Sequence, residues 1–239
     1  MNDDGLPDIG AILSARTALD AATESGDPAE LARATAAETA GEEAVRRKVI
    51  EARGLADAEA AAAAWTGQVD GATRYLLSVS KHLRVAAMLL EALMHTWGWR
   101  GLSAGAALYR RLTAEPAGNV RPPAVAGKRG DRHRFLLNQT QLVPRLPGPA
   151  LGVWFVPMFT AGDKVVRRRE LESIEQAPLD PQTQQALDGW DGGAWLAEAG
   201  AAADEVKQLV AAIEADAGQG GDVPPELERL DNFLKDIVD

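Results

Sequence analysis

The chain of 239 residues contains no cysteine, so disulfides, thiol nucleophiles and thiolate metal ligands are excluded. It has three histidines, His82, His95 and His133, and none has a second histidine at metal-ligand spacing. Basic residues are outnumbered, with 25 Lys and Arg against 35 Asp and Glu for a net charge of −10. That balance argues against general nucleic-acid binding and against docking on an anionic membrane. No window reaches the roughly 18 apolar residues of a membrane span. The acidic start, Met1 to Asp8, lacks the basic and apolar regions of a secretory signal, so a cytoplasmic protein is expected. Aromatics are only 5% of the chain. GxxxxGK[ST] and HExxH are absent, which leaves nucleotide-binding and zinc-protease chemistry without a motif, and Gly101-Leu-Ser-Ala-Gly105, which has the spacing GxSxG, lacks the preceding strand that a hydrolase elbow needs.

What is present is alanine, the best helix former, within a hydrophobic fraction of 46% that allows a real core. The expected fold is mainly α: a multi-helix bundle of antiparallel helical hairpins, with a short β-hairpin near 153–168. Residues 1–64 read as an acidic, Ala-rich helical N-terminal extension. Asp27-Pro28 starts a helix as N-cap and first-turn proline. The run from Glu42 to Trp65, with Gly54 as its one internal glycine, reads as a long helix.

Beyond Trp65 the pattern sharpens. Leu83, Ala86, Leu90, Leu93 and Trp97 recur at i, i+3, i+7, i+10 and i+14, the spacing of one helix face. Gly98 and Gly101 stop that helix, and Leu102, Ala106, Tyr109 and Leu112 begin a second stripe. Helices joined so tightly are expected to fold back as a hairpin. The glycines lack a preceding strand, so they read as a tight turn with close helix packing rather than as a dinucleotide fingerprint.

Residues 114–128 form a Pro/Gly linker, and Asp131 to Leu142 reads as helical. Prolines between 143 and 164 forbid a regular helix. Val153 to Val156 and Lys164 to Val166, either side of Gly162-Asp163, could pair at a sheet edge. Glu170 to Gln176 reads as a short helix. A helix from about Ala194 to Ala217 and a last one carrying Leu227, Leu230, Leu234 and Ile237 make a second helical hairpin.

Two basic clusters stand out, one with Arg129 and Arg132, the other with Arg167, Arg168 and Arg169. They read as a solvated face, as a patch for an acidic partner, or as internal partners of the tail, where Glu198 to Asp239 holds eleven acids against three bases. Trp97, Trp99, Trp190 and Trp195 are contact candidates, since tryptophan is enriched in interface hot spots. Trp97 continues the apolar stripe and is the one best read as core.

The helical unit has a recognisable text: Trp65, Ala72 to Lys81, His82-Leu83-Arg84, Leu90, Leu93, Gly98-Trp99-Arg100-Gly101-Leu102, and Asn119-Val120-Arg121-Pro122. It resembles the ImpA N-terminal domain of TssA-family proteins of bacterial type VI secretion systems, specifically over 65–123 and more loosely to 239. The second expected domain is therefore an ImpA N-terminal-like helical domain over 65–239. His82 stands where that family usually has aspartate, and the family's acidic opening motif is not found in residues 1–64. The chain also ends without the C-terminal region that drives ring assembly in TssA proteins, so an isolated N-terminal domain or a short stand-alone relative is expected and ring formation does not carry over. The resemblance implies a non-catalytic assembly component that binds baseplate, tube or sheath proteins, with no cofactor. The alternative is an unrelated helical enzyme or regulator that binds an anionic ligand near the 164–169 basic cluster.

Overall fold

The computed structural model describes residues 5–55, 57–116, 119–123, 132–133, 156–162, 164–167, 179–218, 230–232 and 234–235. Among them are seven helices: α1 (Ile9–Ser14), α2 (Ala18–Ser25), α3 (Pro28–Gly54), α4 (Ala58–Ser78), α5 (Leu83–Ala114), α6 (Pro181–Asp188) and α7 (Gly192–Ala217). Strands β1 (Pro157–Ala161) and β2 (Lys164–Arg167) pair antiparallel, Phe159 opposite Val166 and Ala161 opposite Lys164. The fold is mainly α with a short β-hairpin, as expected.

Several helix starts follow directly from side chains that satisfy the first free amides. Asp27 accepts from Ala29 N at 2.8 Å with Pro28 in the first turn, as its sequence suggests. Thr17 and Asp20 form a reciprocal capping box on α2. The long helix expected from Glu42 to Trp65 is two helices. Helix α3 stops at Gly54, and Asp57 accepts from Ala60 N at 2.7 Å to start α4. Asp180 and Pro181 start α6 in the same manner. The first strand begins at Pro157, four residues beyond Val153, with a bulge between Pro157 and Phe159 that lets the ladder start at a proline. Residues 153–155, 170–176 and most of 131–142, where a strand and two helices are expected, lie outside the described residues, although Arg132 and His133 are helical.

Helix α5 is the centre of the molecule. Its two halves are separated by Gly98, whose φ of 60° and ψ of −134° lie outside the helical region. The chain reverses there, so that Gly105 comes against Leu90 and Gly101 against Leu93. This is the expected αα-hairpin. A Cβ on Gly101 would sit 2.0 Å from the carbonyl oxygen of Leu93, and one on Gly105 would sit 2.7 Å from Leu90 Cα. Only glycine permits that backbone approach.

Helix α7 packs along α5, and α4 packs on it as well; α3 lies on α4 and α5, α2 on α3, and α1 against α4 and α5. With neighbours on so many sides, the first half of α5 is not amphipathic as its stripe suggests. Val85, Ala87 and Met88 lie off the stripe and are buried too, as in a helix enclosed all round. Each fully buried leucine there contributes about 1.5–3 kcal/mol. The expected division between residues 64 and 65 falls inside α4, and Ile12, Val45 and Val49 share one core with Leu83 and Leu102. Leu230 and Leu234 from the tail join the same core.

Candidate interaction site

Helix α4 ends at Ser78 and α5 begins at Leu83, and the short segment between them holds the motif residues Ser80, Lys81 and His82. Asn119 to Pro122 returns beside it after the α5 hairpin. Arg121 N donates to Lys81 O at 2.8 Å, and Leu83 N donates to Arg121 O at 2.7 Å, a parallel bridge around His82. The two motif segments are thus physically one structure.

Each polar residue of the first segment has a defined partner. Lys81 Nζ donates to Leu13 O at 2.5 Å, where a cation complements the end of α1. Ser80 Oγ donates to Glu38 Oε1 at 2.7 Å. Arg84 forms an ion pair with Glu42. His82 replaces the expected aspartate in its own role: Nδ1 accepts from Arg84 N at 3.2 Å and caps α5, while Nε2 lies 3.2 Å from Glu42 Oε2. That geometry requires the neutral ring with its proton on Nε2. Burial pushes the His82 pKa down, against the pull of Glu42 and Glu38. Tyr75 donates to Glu38 O at 3.1 Å, and burial, then Glu38 and Glu42, push its phenol well above its usual range.

The sequence motif does not contain Glu38 and Glu42, yet they organise it. A signal for them exists: Glu38, Glu42, Val45, Val49 and Ala52 continue one helical stripe, which separates Glu42 from its exposed neighbour Glu43. Glu43 is a surface carboxylate that pairs with Arg46.

The remaining predicted residues are mostly interior. Trp65 stacks on His95, centroids 4.2 Å apart and planes 8° off parallel. Leu83, Leu90, Leu93 and Leu102 are core, with Leu90 and Leu93 under the hairpin glycines. Trp97 packs against the core, half-buried beside Gly5, and Trp99, a contact candidate in the sequence, is buried too, edge-on to Trp195 at 5.3 Å. Trp195 donates to Pro157 O at 3.3 Å, and Trp190 touches both Trp195 and Phe159. Pro122 is half-buried.

One member of the first basic cluster, Arg132, does not stay on the surface. Arg132 is buried and binds Asp216 of the acidic tail at 2.6 Å. His133, fully enclosed, links that carboxylate to the Tyr109 hydroxyl at 2.8 and 3.2 Å. Enclosing the Arg132 guanidinium costs desolvation, which its two hydrogen bonds to the Asp216 carboxylate offset. Arg167 is half-buried at the end of β2; Arg129, Arg168 and Arg169 lie outside the described residues.

All three histidines are held neutral. Burial pushes His95 down to about 3, helped by the charges of Arg167 and Arg53. Burial also lowers His133, against its hydrogen bond to Asp216. A histidine whose folded pKa lies below the unfolded value of about 6.5 stabilises the fold fully above that value, and the contribution is lost as pH falls. His95 alone is expected to remove about 3 kcal/mol between pH 7 and pH 4.5. Urea unfolding across that range measures it. His95→Phe keeps a stacking ring on Trp65 without a titrating group, and its stability should fall less steeply; a slope equal to wild type would refute this role of His95.

Among the described residues no group of three His, Cys, Asp or Glu side chains could hold a metal, and no helix is long and apolar enough to cross a membrane. No curated protein matches the chain. Among solved structures, the N-terminal domain including the conserved ImpA_N region of the TssA component of the type VI secretion system from Burkholderia cenocepacia is similar, at 19% identity and a TM-score of 0.46, covering 73% of this chain and 78% of that one. Residues 18–138 match the family described as ImpA, N-terminal, type VI secretion system, which takes in α2 to α5 and the Ser80–Arg121 junction. The chain therefore belongs to the ImpA N-terminal family and is a type VI secretion system component.

Proposed function

We propose that this chain is a cytoplasmic, non-catalytic assembly component that binds baseplate, tube or sheath proteins of the type VI machine. The observation that carries the reading is the family match over 18–138. The disposition of charge in the motif supports it. Lys81 ties α1 to the α4–α5 junction, Arg84 and His82 tie α5 to α3, and Arg53 ties α3 to α5. These residues hold helices in register, the use expected of a rigid frame that presents a surface. The net charge of −10 favours protein partners over nucleic acid.

The test is capture by the tagged full chain of purified tube, sheath and baseplate proteins, each assayed separately. Saturable binding of at least one is expected. Failure to bind any of them at micromolar concentration would overturn the proposal.

A further inference from the structure

Away from the Ser80–Arg121 junction, a second polar cluster joins α5, the end of α7 and the helical residues Arg132 and His133. His133 and Tyr109 have no exposed surface, and Arg132 is 8% exposed. His133 Nε2 lies 2.8 Å from Asp216 Oδ2, so that nitrogen carries the ring proton. Nδ1 is then the acceptor, and the Tyr109 hydroxyl donates to it at 3.2 Å. The approach of Arg132 Nε to His133 Nε2 at 3.3 Å is no hydrogen bond in this tautomer. Arg132 instead donates twice to Asp216 Oδ2, at 3.0 and 2.6 Å.

The cluster is complete only while the imidazole is neutral. The charges of Arg132 and Asp216 cancel, and the four side chains have no further partner among the described residues. Arg110 is paired with Glu205, Asp231 with Lys235, and Arg111 and Glu214 are exposed, so none of these elements brings His133 a second carboxylate. A proton added at Nδ1 leaves one uncompensated positive charge in enclosed surroundings. It also turns Nδ1 from acceptor to donor and strands the Tyr109 O–H. Burial already holds the His133 pKa down against its bond to Asp216, so the closed arrangement is favoured at neutral pH and loses support as pH falls. Asp216 adds a dependence on the same contact. It lies in the last turn of α7, where the helix dipole disfavours an acid, and that turn contains no basic residue. Arg132 supplies the missing cation from outside the helix. We propose that Tyr109, Arg132, His133 and Asp216 form an acid-released latch, in which one proton on His133 frees the 132–133 segment from α5 and loosens the last turn of α7.

NMR of the isotope-labelled full chain, titrated from about pH 7.5 down to acid unfolding, tests the latch. At the start the His133 ring should show the Nε2–H tautomer. As the ring takes up its proton, the amides of Asp216, Ala217 and Gly218 should lose about tenfold in exchange protection, corrected for the intrinsic rate. The amides of Leu89 and Leu93 in the core of α5 should stay protected through that step. His133→Gln keeps a donor for Asp216 and takes up no proton, so its α7 amides should lose less than about twofold. His95→Phe, which removes the other strongly buried imidazole, should lose protection at the end of α7 as wild type does. Protonation of His133 with the α7 amides still protected would overturn the latch. So would a single transition in which the ends of α7 and the core of α5 open together, or an equal loss at α7 in a His133→Gln chain with a native spectrum at neutral pH. The wild-type titration decides by itself if His133→Gln does not fold.

Discussion

Gly101→Ala is expected to cost at least ~3 kcal/mol in urea unfolding, while the same change at Gly67 gains about 0.5–1 kcal/mol. The new methyl is identical, and its surroundings decide the sign. At Gly67 nothing lies within 4 Å of an added Cβ, so alanine brings only its better helix propensity. At Gly101 the methyl would meet Leu93 O at 2.0 Å and Leu93 C at 2.5 Å, both backbone atoms of the facing half of α5. No rotamer relieves that overlap; the two halves of the hairpin must separate and lose contacts along the whole crossing. Domains are typically stable by about 5–15 kcal/mol, so the loss is a large share of the total. A Gly101→Ala chain as stable as wild type would show that the two halves of α5 do not cross there.

The second large effect is expected at the Arg53–Glu91 pair. Glu91 lies on the central helix with no exposed surface, and Arg53 reaches it with two parallel hydrogen bonds, Nε to Oε1 at 2.8 Å and a terminal nitrogen to Oε2 at 2.5 Å. This fork geometry offsets the cost of enclosing both charges. Arg53→Met leaves the carboxylate buried beside a thioether and should cost about 3–5 kcal/mol at pH 7. Adding Glu91→Leu removes the stranded charge, and the double variant should recover most of the loss. A double-mutant cycle in urea measures both. A cost below about 1 kcal/mol for Arg53→Met would mean that the pair is not the closed contact described above.

Much of this architecture is written in local patterns. The α5 stripe, the glycines that reverse it, Asp27-Pro28 and the apolar face of α7 each depend on a few neighbouring residues, and each appears where the spacing puts it. The misses have a common cause: they depend on what approaches from elsewhere. Val85, Ala87 and Met88 are enclosed because α3, α4 and α7 surround α5, and no pattern within 83–94 states how many neighbours will come. Trp99 is buried together with Trp97 because Gly98 redirects the chain by one residue's torsion angles. Arg132 looks like a surface cation until Asp216, 84 residues away, meets it. The break at 55–57 is different. Gly54 ends α3 and Asp57 caps α4, but the alanines on either side outweigh these two residues in a reading by composition.

The site follows the same division. Ser80 to Arg84 and Asn119 to Pro122 are distinctive as text, while their joining through the Lys81–Arg121 backbone bond and their support by Glu38 and Glu42 come from the tertiary fold. His82 shows that a residue type departing from the family pattern can keep the role: an unprotonated imidazole nitrogen accepts the helix-start amide as a carboxylate would.

Beside the Lys81–Arg121 junction lies an open cleft of about 300 Å³ whose walls come from three stretches, residues 14–24, 80–81 and 119–121, that come together only when α1, α2 and the α5 hairpin are all in place. An unfolded chain offers a guest nothing equivalent. Any molecule that binds there would therefore draw the folding equilibrium toward the native state, by RT ln(1 + [L]/Kd), or about 2.7 kcal/mol at a hundredfold excess over Kd. Thermal stability then becomes a gauge of occupancy, and a partner that engages this end of the molecule should raise the melting temperature with its own concentration.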